Sequence, residues 1–118
     1  MIYVVADTNA LIAPFKMKFN IDIELTRILG SYTIIIPEPL IGELRKLAVT
    51  NMNAKGAMKF ALGREIFPTK GVGDNSVLEL ARKMRGYVMT NDIELIERAR
   101  KRKLRVIRLR EGCRLELM

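Results

Sequence analysis

Apolar residues fall along the chain in short unbroken runs separated by longer amphipathic stretches. The runs "IYVV" (2–5), "YTIII" (32–36), "YVM" (87–89) and "RVIRL" (105–109) are too short for helices and rich in β-branched and aromatic residues, so they predict strands, with "REIF" (64–67) a weaker fifth. Most are continuous rather than alternating, as in parallel strands covered on both faces.

Between these runs the spacing becomes helical. "NIDIELTRILG" carries Asn20 as a cap, an apolar side formed by Ile21, Leu25, Ile28 and Leu29, and a Gly30 stop. "PEPLIGELRKLAV" opens on prolines, which suit a first turn, and "NMNAKGAMKFALG" is amphipathic but weakened by Gly56. "GDNSVLELARKMRG" has Asp74 or Asn75 to cap it and Gly86 to end it, and a last helix starts at "NDIELIERARKRK". Strands alternating with helices predict βαβ units, hence a three-layer α/β/α domain spanning residues 1–118 with a mostly parallel sheet of four to five strands. In such a sheet ligands gather beyond the carboxyl ends of the strands. Asp7 and Asp92 each follow a strand there.

Composition changes the picture mainly through what is missing. The chain has no histidine and one cysteine, Cys113. This removes Ser-His-Asp and Cys-His catalysis and any ordinary zinc site, leaving oxygen chemistry. No apolar run reaches the roughly 18 to 20 residues that cross a bilayer, and no basic leader precedes an apolar stretch, so a cytoplasmic protein without membrane contact is expected. Abundant Lys, Arg and Glu without Gln or Trp give a weak thermophilic signature.

The net charge of +8 is local: between Arg98 and Arg114 nine bases face one acid, Glu111, and the rest of the chain is balanced. A solvated helix face with Glu94–Arg98 and Glu97–Lys101 pairs is the plain explanation. The alternative is a polyanion surface, and the cluster Arg98, Arg100, Lys101, Arg102, Lys103 and Arg105 is the candidate nucleic-acid-binding segment, with RNA and DNA equally open on charge alone.

Four carboxylates stand out against their plain roles. Asp7, Asp74 and Asp92 all occupy positions where a carboxylate caps or charges a helix start. Glu43 does not, because it falls at the border of an apolar stripe formed by Leu40, Leu44, Leu47 and Ala48. A carboxylate at the edge of a buried face needs a partner, either a basic side chain or a cation. Gathering the four acids would demand neutralisation, for which Mg²⁺ or Mn²⁺ suits an all-oxygen site. Thr8, Asn9, Asn75, Thr90 and Asn91 stand beside the acids as supporting polar groups able to orient water or phosphate.

"VVADTNALI", "IIIPEPLIGELRKL", "VGDNSVLELA" and "YVMTNDIEL", in that order, resemble the four acidic signatures of the PIN-domain (PilT N-terminus-like) nucleases. The resemblance spans nearly the whole chain. It implies a Rossmann-like fold, a Mg²⁺- or Mn²⁺-dependent ribonuclease, Asp7, Glu43, Asp74 and Asp92 as metal-site acids, and a homodimer. The basic ending "TNDIELIERARKRKLRVIRLR" is most similar to the archaeal and eukaryotic ribosomal-RNA-maturation branch, so an rRNA precursor is the expected substrate. A VapC-type toxin nuclease with an antitoxin partner, and a catalytically silent RNA-binding module, are the alternatives. A phosphate-accepting receiver-like domain fits less well, because only Asp7 stands at the end of the first strand.

Overall fold

Each predicted strand forms, within a residue of its expected limits, in the computed structural model, which describes residues 1–111 and 113–118. They are β1 (Tyr3–Ala6), β2 (Thr33–Pro37), β3 (Glu65–Phe67), β4 (Tyr87–Met89) and β5 (Val106–Arg110). A sixth, β6 (Arg114–Leu117), was not expected. The helices are α1 (Thr8–Met17), α2 (Ile21–Leu29), α3 (Glu38–Ala48), α4 (Met52–Leu62), α5 (Asp74–Met84) and α6 (Ile93–Lys101).

The sheet order is β3-β2-β1-β4-β5-β6. The first five strands are parallel and β6 runs antiparallel to β5, so the sheet is mixed and six-stranded rather than a parallel one of four to five. The α/β/α architecture itself is as expected. β6 is a short edge strand with one fully buried side chain, Leu115, so its apolar signal is faint. It is held from α2, where Glu24 accepts the Leu115 N–H at 2.9 Å and Arg27 donates to the Leu115 carbonyl at 2.6 Å. Covering edge backbone in this way protects it from pairing with other chains.

The core lies where the central strands meet. Val4, Val5, Ile34, Ile35, Ile36 and Val88 are all buried, in a register that sets Val5 beside Ile35 on one side and Val88 on the other. α1, α3 and α4 pack together, whereas α5 packs on β1, β2 and β4 and α6 on β5. With right-handed crossovers this order places α1 to α4 on one face and α5 and α6 on the other.

Two glycines have packing reasons. A Cβ on Gly56 would fall 2.7 Å from the Phe15 ring, so the residue that weakens α4 as a helix is what lets α1 approach it. A Cβ on Gly86 would stand 2.9 Å from the Tyr3 carbonyl oxygen. The left-handed residue that ends α5 is Arg85, with φ 53°, rather than Gly86 as expected.

Candidate active site

β1 and β4 are neighbours, and chain connections depart from them in opposite directions. The crevice this reversal opens at their carboxyl ends is where ligands bind in doubly wound sheets. Asp7 and Thr90 both follow directly on these strands.

Asp7 is buried, with 7% of its surface exposed. One carboxylate oxygen caps α1 by accepting the Ala10 N–H at 2.7 Å, and the other accepts the Thr90 hydroxyl. Thr90, 1% exposed, in turn accepts the Asp92 N–H at 3.0 Å. The segments 7–9 (Asp-Thr-Asn) and 90–92 (Thr-Asn-Asp) are thereby one hydrogen-bonded unit. Burial pushes the Asp7 carboxyl above its ordinary pKa. The Thr90 and Ala10 donors oppose that, and repulsion from Asp74 and Asp92 adds to it. That repulsion places all three aspartates in one electrostatic neighbourhood.

Asp92 is the N-cap of α6, accepting the Leu95 N–H at 3.1 Å, and is otherwise exposed. Asp74 does not cap. Gly73 holds the N-cap position of α5, and the Ser76 hydroxyl donates to its carbonyl at 2.6 Å, so the expected capping role of Asp74 or Asn75 does not hold. The Asp74 loop is anchored instead by Glu79, which accepts the backbone N–H groups of Lys70 and Gly71.

Glu43 sits one and a half turns into α3. Its Oε1 accepts the Thr8 hydroxyl at 3.3 Å, while Oε2 is buried with no hydrogen-bond partner among the described residues. The apolar stripe beside it differs from the expected one, because Leu47 is 42% exposed and Ile41, 7% exposed, packs inward in its place.

A cleft of about 730 Å³ opens at this edge. Asp7, Asn9, Thr90, Asn91 and Asp92 line it, while Glu43 and Asp74 stand outside its lining. Its other walls were not foreseen: Lys16 and Asn53 are polar, and Phe19, Leu47, Leu109 and Leu115 are apolar. They come from six elements or loops, so no local spacing marks them. Asn91 serves β5, donating to the Leu109 carbonyl at 3.0 Å and accepting its N–H at 2.7 Å. Its carbonyl oxygen and one N–H are thereby committed to the backbone, which leaves the second amide N–H as the group it can offer the cleft.

The donor set suits a hard cation. A buried carboxylate oxygen lacking a partner is costly, and a cation would relieve both that cost and the repulsion around Asp7. Among the described residues no three acids already form a cluster that could hold an ion.

The basic segment lies elsewhere. α6 begins at the acidic edge and runs back towards the amino ends of the strands, carrying Arg100, Lys101, Arg102, Lys103 and Arg105 away from the acids. The expected Glu94–Arg98 and Glu97–Lys101 ion pairs are not among those of the described residues. Arg98 donates to Asn75 across the gap between α6 and α5. Further along, Arg108 and Arg110 both pair with Glu116, at 2.9 and 3.3 Å, so the tail is less bare than its sequence suggests.

A Rossmann-like α/β/α domain with an acidic crevice at its topological switch point is the class that fold and site define. Residues 4–112 match the family described as PIN like domain, and the chain belongs to that family. It is 30% identical to ribonuclease VapC4 of Methanocaldococcus jannaschii, over 94% of this chain and 92% of that protein. It is 31% identical to ribonuclease VapC9 of Archaeoglobus fulgidus, over 93% and 84%. Among solved structures, the PIN domain endonuclease Utp24 superposes with a TM-score of 0.83 at 21% identity, covering 98% of this chain and 90% of that one. Among the described residues, no helix is long and apolar enough to cross a membrane.

Proposed function

We propose that this PIN-domain protein is a Mg²⁺- or Mn²⁺-dependent ribonuclease acting at the β1–β4 crevice, with Asp7, Glu43, Asp74 and Asp92 as its acids. The observation that carries the site is Glu43 Oε2, buried and without a hydrogen-bond partner among the described residues, on a side chain linked through Thr8 to the segment that bears Asp7. Ribonuclease is the activity for which both archaeal relatives are named.

When bound, the divalent ion supplies a water of lowered pKa and neutralises charge on the phosphoryl oxygens. The chain's own groups do the positioning. Thr90 and the Ala10 N–H fix the Asp7 carboxylate, and Thr8 orients Glu43. The apolar walls, Phe19 and Leu115 among them, exclude bulk water from one side of the cleft. With no histidine in the chain, the 2′-hydroxyl route loses its usual acid and base, so the products carry 5′-phosphate and 3′-hydroxyl ends.

An rRNA precursor is the substrate we favour, on the strength of the basic ending. A VapC-type toxin is the second reading, favoured by the names of both relatives, and would bring an antitoxin partner. A homodimer is supported by apolar residues left exposed at the α3–α4 turn, Val49 at 81% and Met52 at 79%. The test is cleavage of 5′-labelled RNA with Mn²⁺, Mg²⁺ or EDTA, with analysis of product ends. Metal-dependent 5′-phosphate products support the proposal; metal-independent cleavage or 2′,3′-cyclic ends overturn it.

A further inference from the structure

The strongest concentration of unpaired charge lies outside the acidic cleft, and two elements share it. One hollow runs between α5 and α6 from Asn75, beside Asp74, down past Arg98 and Lys83 to Arg82 and Arg102. A second lies beneath the amino ends of the strands, against Ile2 of the chain start, Gly86 and Tyr87, and is lined by Arg82, Arg85, Arg102, Lys103 and Arg105. Arg82 and Arg102 belong to both, so the two hollows form one continuous groove. Among the described residues that line it Glu79 is the single acid, and its carboxylate is turned to the Lys70 and Gly71 backbone. None of the groove's bases takes part in an ion pair among the described residues.

We infer that this groove is a phosphate-backbone track for single-stranded RNA, leading from the acidic crevice down between α5 and α6 and turning under the sheet. The inference rests on the ribonuclease reading for the identity of the strand, but its evidence is independent of the acids. Three of the track's seven bases are Arg82, Lys83 and Arg85, which lie in a part of the chain that is electrically balanced as a sequence. Only the fold brings them beside the basic run of α6. Arg98 links the track to the crevice, because its guanidinium bonds Asn75, the neighbour of Asp74. At the lower end Arg105 is held in place by Tyr87, donating to the phenol oxygen at 2.8 Å with its guanidinium 5.5 Å from the ring centroid.

The shape selects the strand. From Asp92 to Arg102 the α6 side alone runs about 15 Å, at about 1.5 Å per helical residue. The groove then bends beneath the strand ends. A double helix, stiff over roughly 150 base pairs, does not follow such a bend, whereas a single strand does. Binding to phosphate carries no sequence information, so the track holds and orients RNA without choosing the cleavage site.

The test compares a triple variant on the α5 side, Arg82→Gln/Lys83→Gln/Arg85→Asn, with a charge-matched control on the opposite face, Arg45→Gln/Lys55→Gln/Lys59→Gln. Asn is used at position 85 because it tolerates the left-handed backbone there. Fluorescence anisotropy in EDTA follows binding of a labelled 15-nucleotide oligouridine and a 3-nucleotide one across a salt series. The α5 variant is expected to bind the long RNA about tenfold more weakly, and its plot of log K against log salt to be shallower by about 2, at near 0.7 for each phosphate that a base no longer neutralises. The control is expected to bind like the parent, and the short RNA to distinguish none of the three. Equal losses in variant and control, an unchanged variant, or equal loss on the short RNA each overturn the track. Because the readout is binding without metal, a parent that binds as expected but never cleaves refutes the ribonuclease reading and leaves the track standing.

Discussion

The Thr90 hydroxyl donates to the buried carboxylate of Asp7, tying the end of β4 to the end of β1. It also accepts the Asp92 N–H, so one side chain satisfies a group from each of two acids. Thr90→Val keeps the shape and removes both bonds. Each buried polar group left without a partner costs about 1–3 kcal/mol, so thermal unfolding is expected to show a loss in that range. Thr90 is also one of the groups that hold the Asp7 pKa down. Its removal is expected to move the Asp7 titration upward, measured by carboxyl NMR in the metal-free protein. A variant with unchanged stability and an unmoved Asp7 would show that the bond matters to neither.

Stability against pH has opposite signs at two acids. Asp7 has a raised folded pKa, caused first by burial, so its contribution is fully present below its ordinary value of 3.8 and is lost as pH rises through the folded value. In EDTA, Asp7→Asn is therefore expected to gain melting temperature relative to the parent as pH rises through that window, with no gain below it. Glu79 is the reverse. The Gly71 and Lys70 N–H groups depress its pKa, so its contribution is present above its ordinary 4.5 and is lost as pH falls through the folded value. Glu79→Gln is expected to flatten the acid limb of the melting curve. A parallel pH profile in either variant would refute the corresponding assignment.

Most of the fold was legible because five strands carry continuous apolar runs and the helices between them carry stops or caps that the backbone uses. Asn20 caps α2 as expected, and Asn51 caps α4 in the same way. β6 was missed because one buried leucine in four residues leaves little apolar signal, and its anchor, α2, is 88 residues away in sequence at Arg27. The acids were legible as separate positions, each at the end of an apolar run or on a stripe border. What each does locally was less so. Asp74 looked like a cap, but Ser76 closes that turn, and Asn91 looked free, but Leu109 engages its carbonyl oxygen and one N–H. The cleft walls and the α5 half of the basic groove arise from tertiary placement alone.

Metal binding is expected to be visible without any substrate. An ion that binds only the folded chain stabilises it by about 2.7 kcal/mol at 100-fold excess over its dissociation constant. Mn²⁺ is therefore expected to raise the melting temperature of the parent, and Asp7→Asn or Glu43→Gln to abolish most of that rise. Asp74→Asn is the informative companion, because Asp74 makes no capping bond and its loss removes charge without removing a helix start. If both Asp7→Asn and Asp74→Asn retain the full shift, the acids do not share an ion.

Asp92 has two roles that one substitution separates. It caps α6 through its bond to the Leu95 N–H, and it adds negative charge near Asp7. Asn caps a helix about as well as Asp, so Asp92→Asn keeps the first role while discarding the charge. Loss of the helix-dipole interaction costs about 0.3–1 kcal/mol, and relief of repulsion on Asp7 offsets part of it. The expected outcome is near-parental unfolding in EDTA together with single-turnover RNA cleavage in Mn²⁺ reduced by at least about a hundredfold, the scale of one lost acid–base or electrostatic contribution. Glu94→Gln, two residues on and exposed, is expected to cleave like the parent. Asp92→Ala adds the complementary case, because it loses the cap as well and is expected to drop by about 1 kcal/mol in stability while cleaving no worse than Asp92→Asn. Cleavage that fell only in step with stability across these variants would leave Asp92 a helix cap and nothing more.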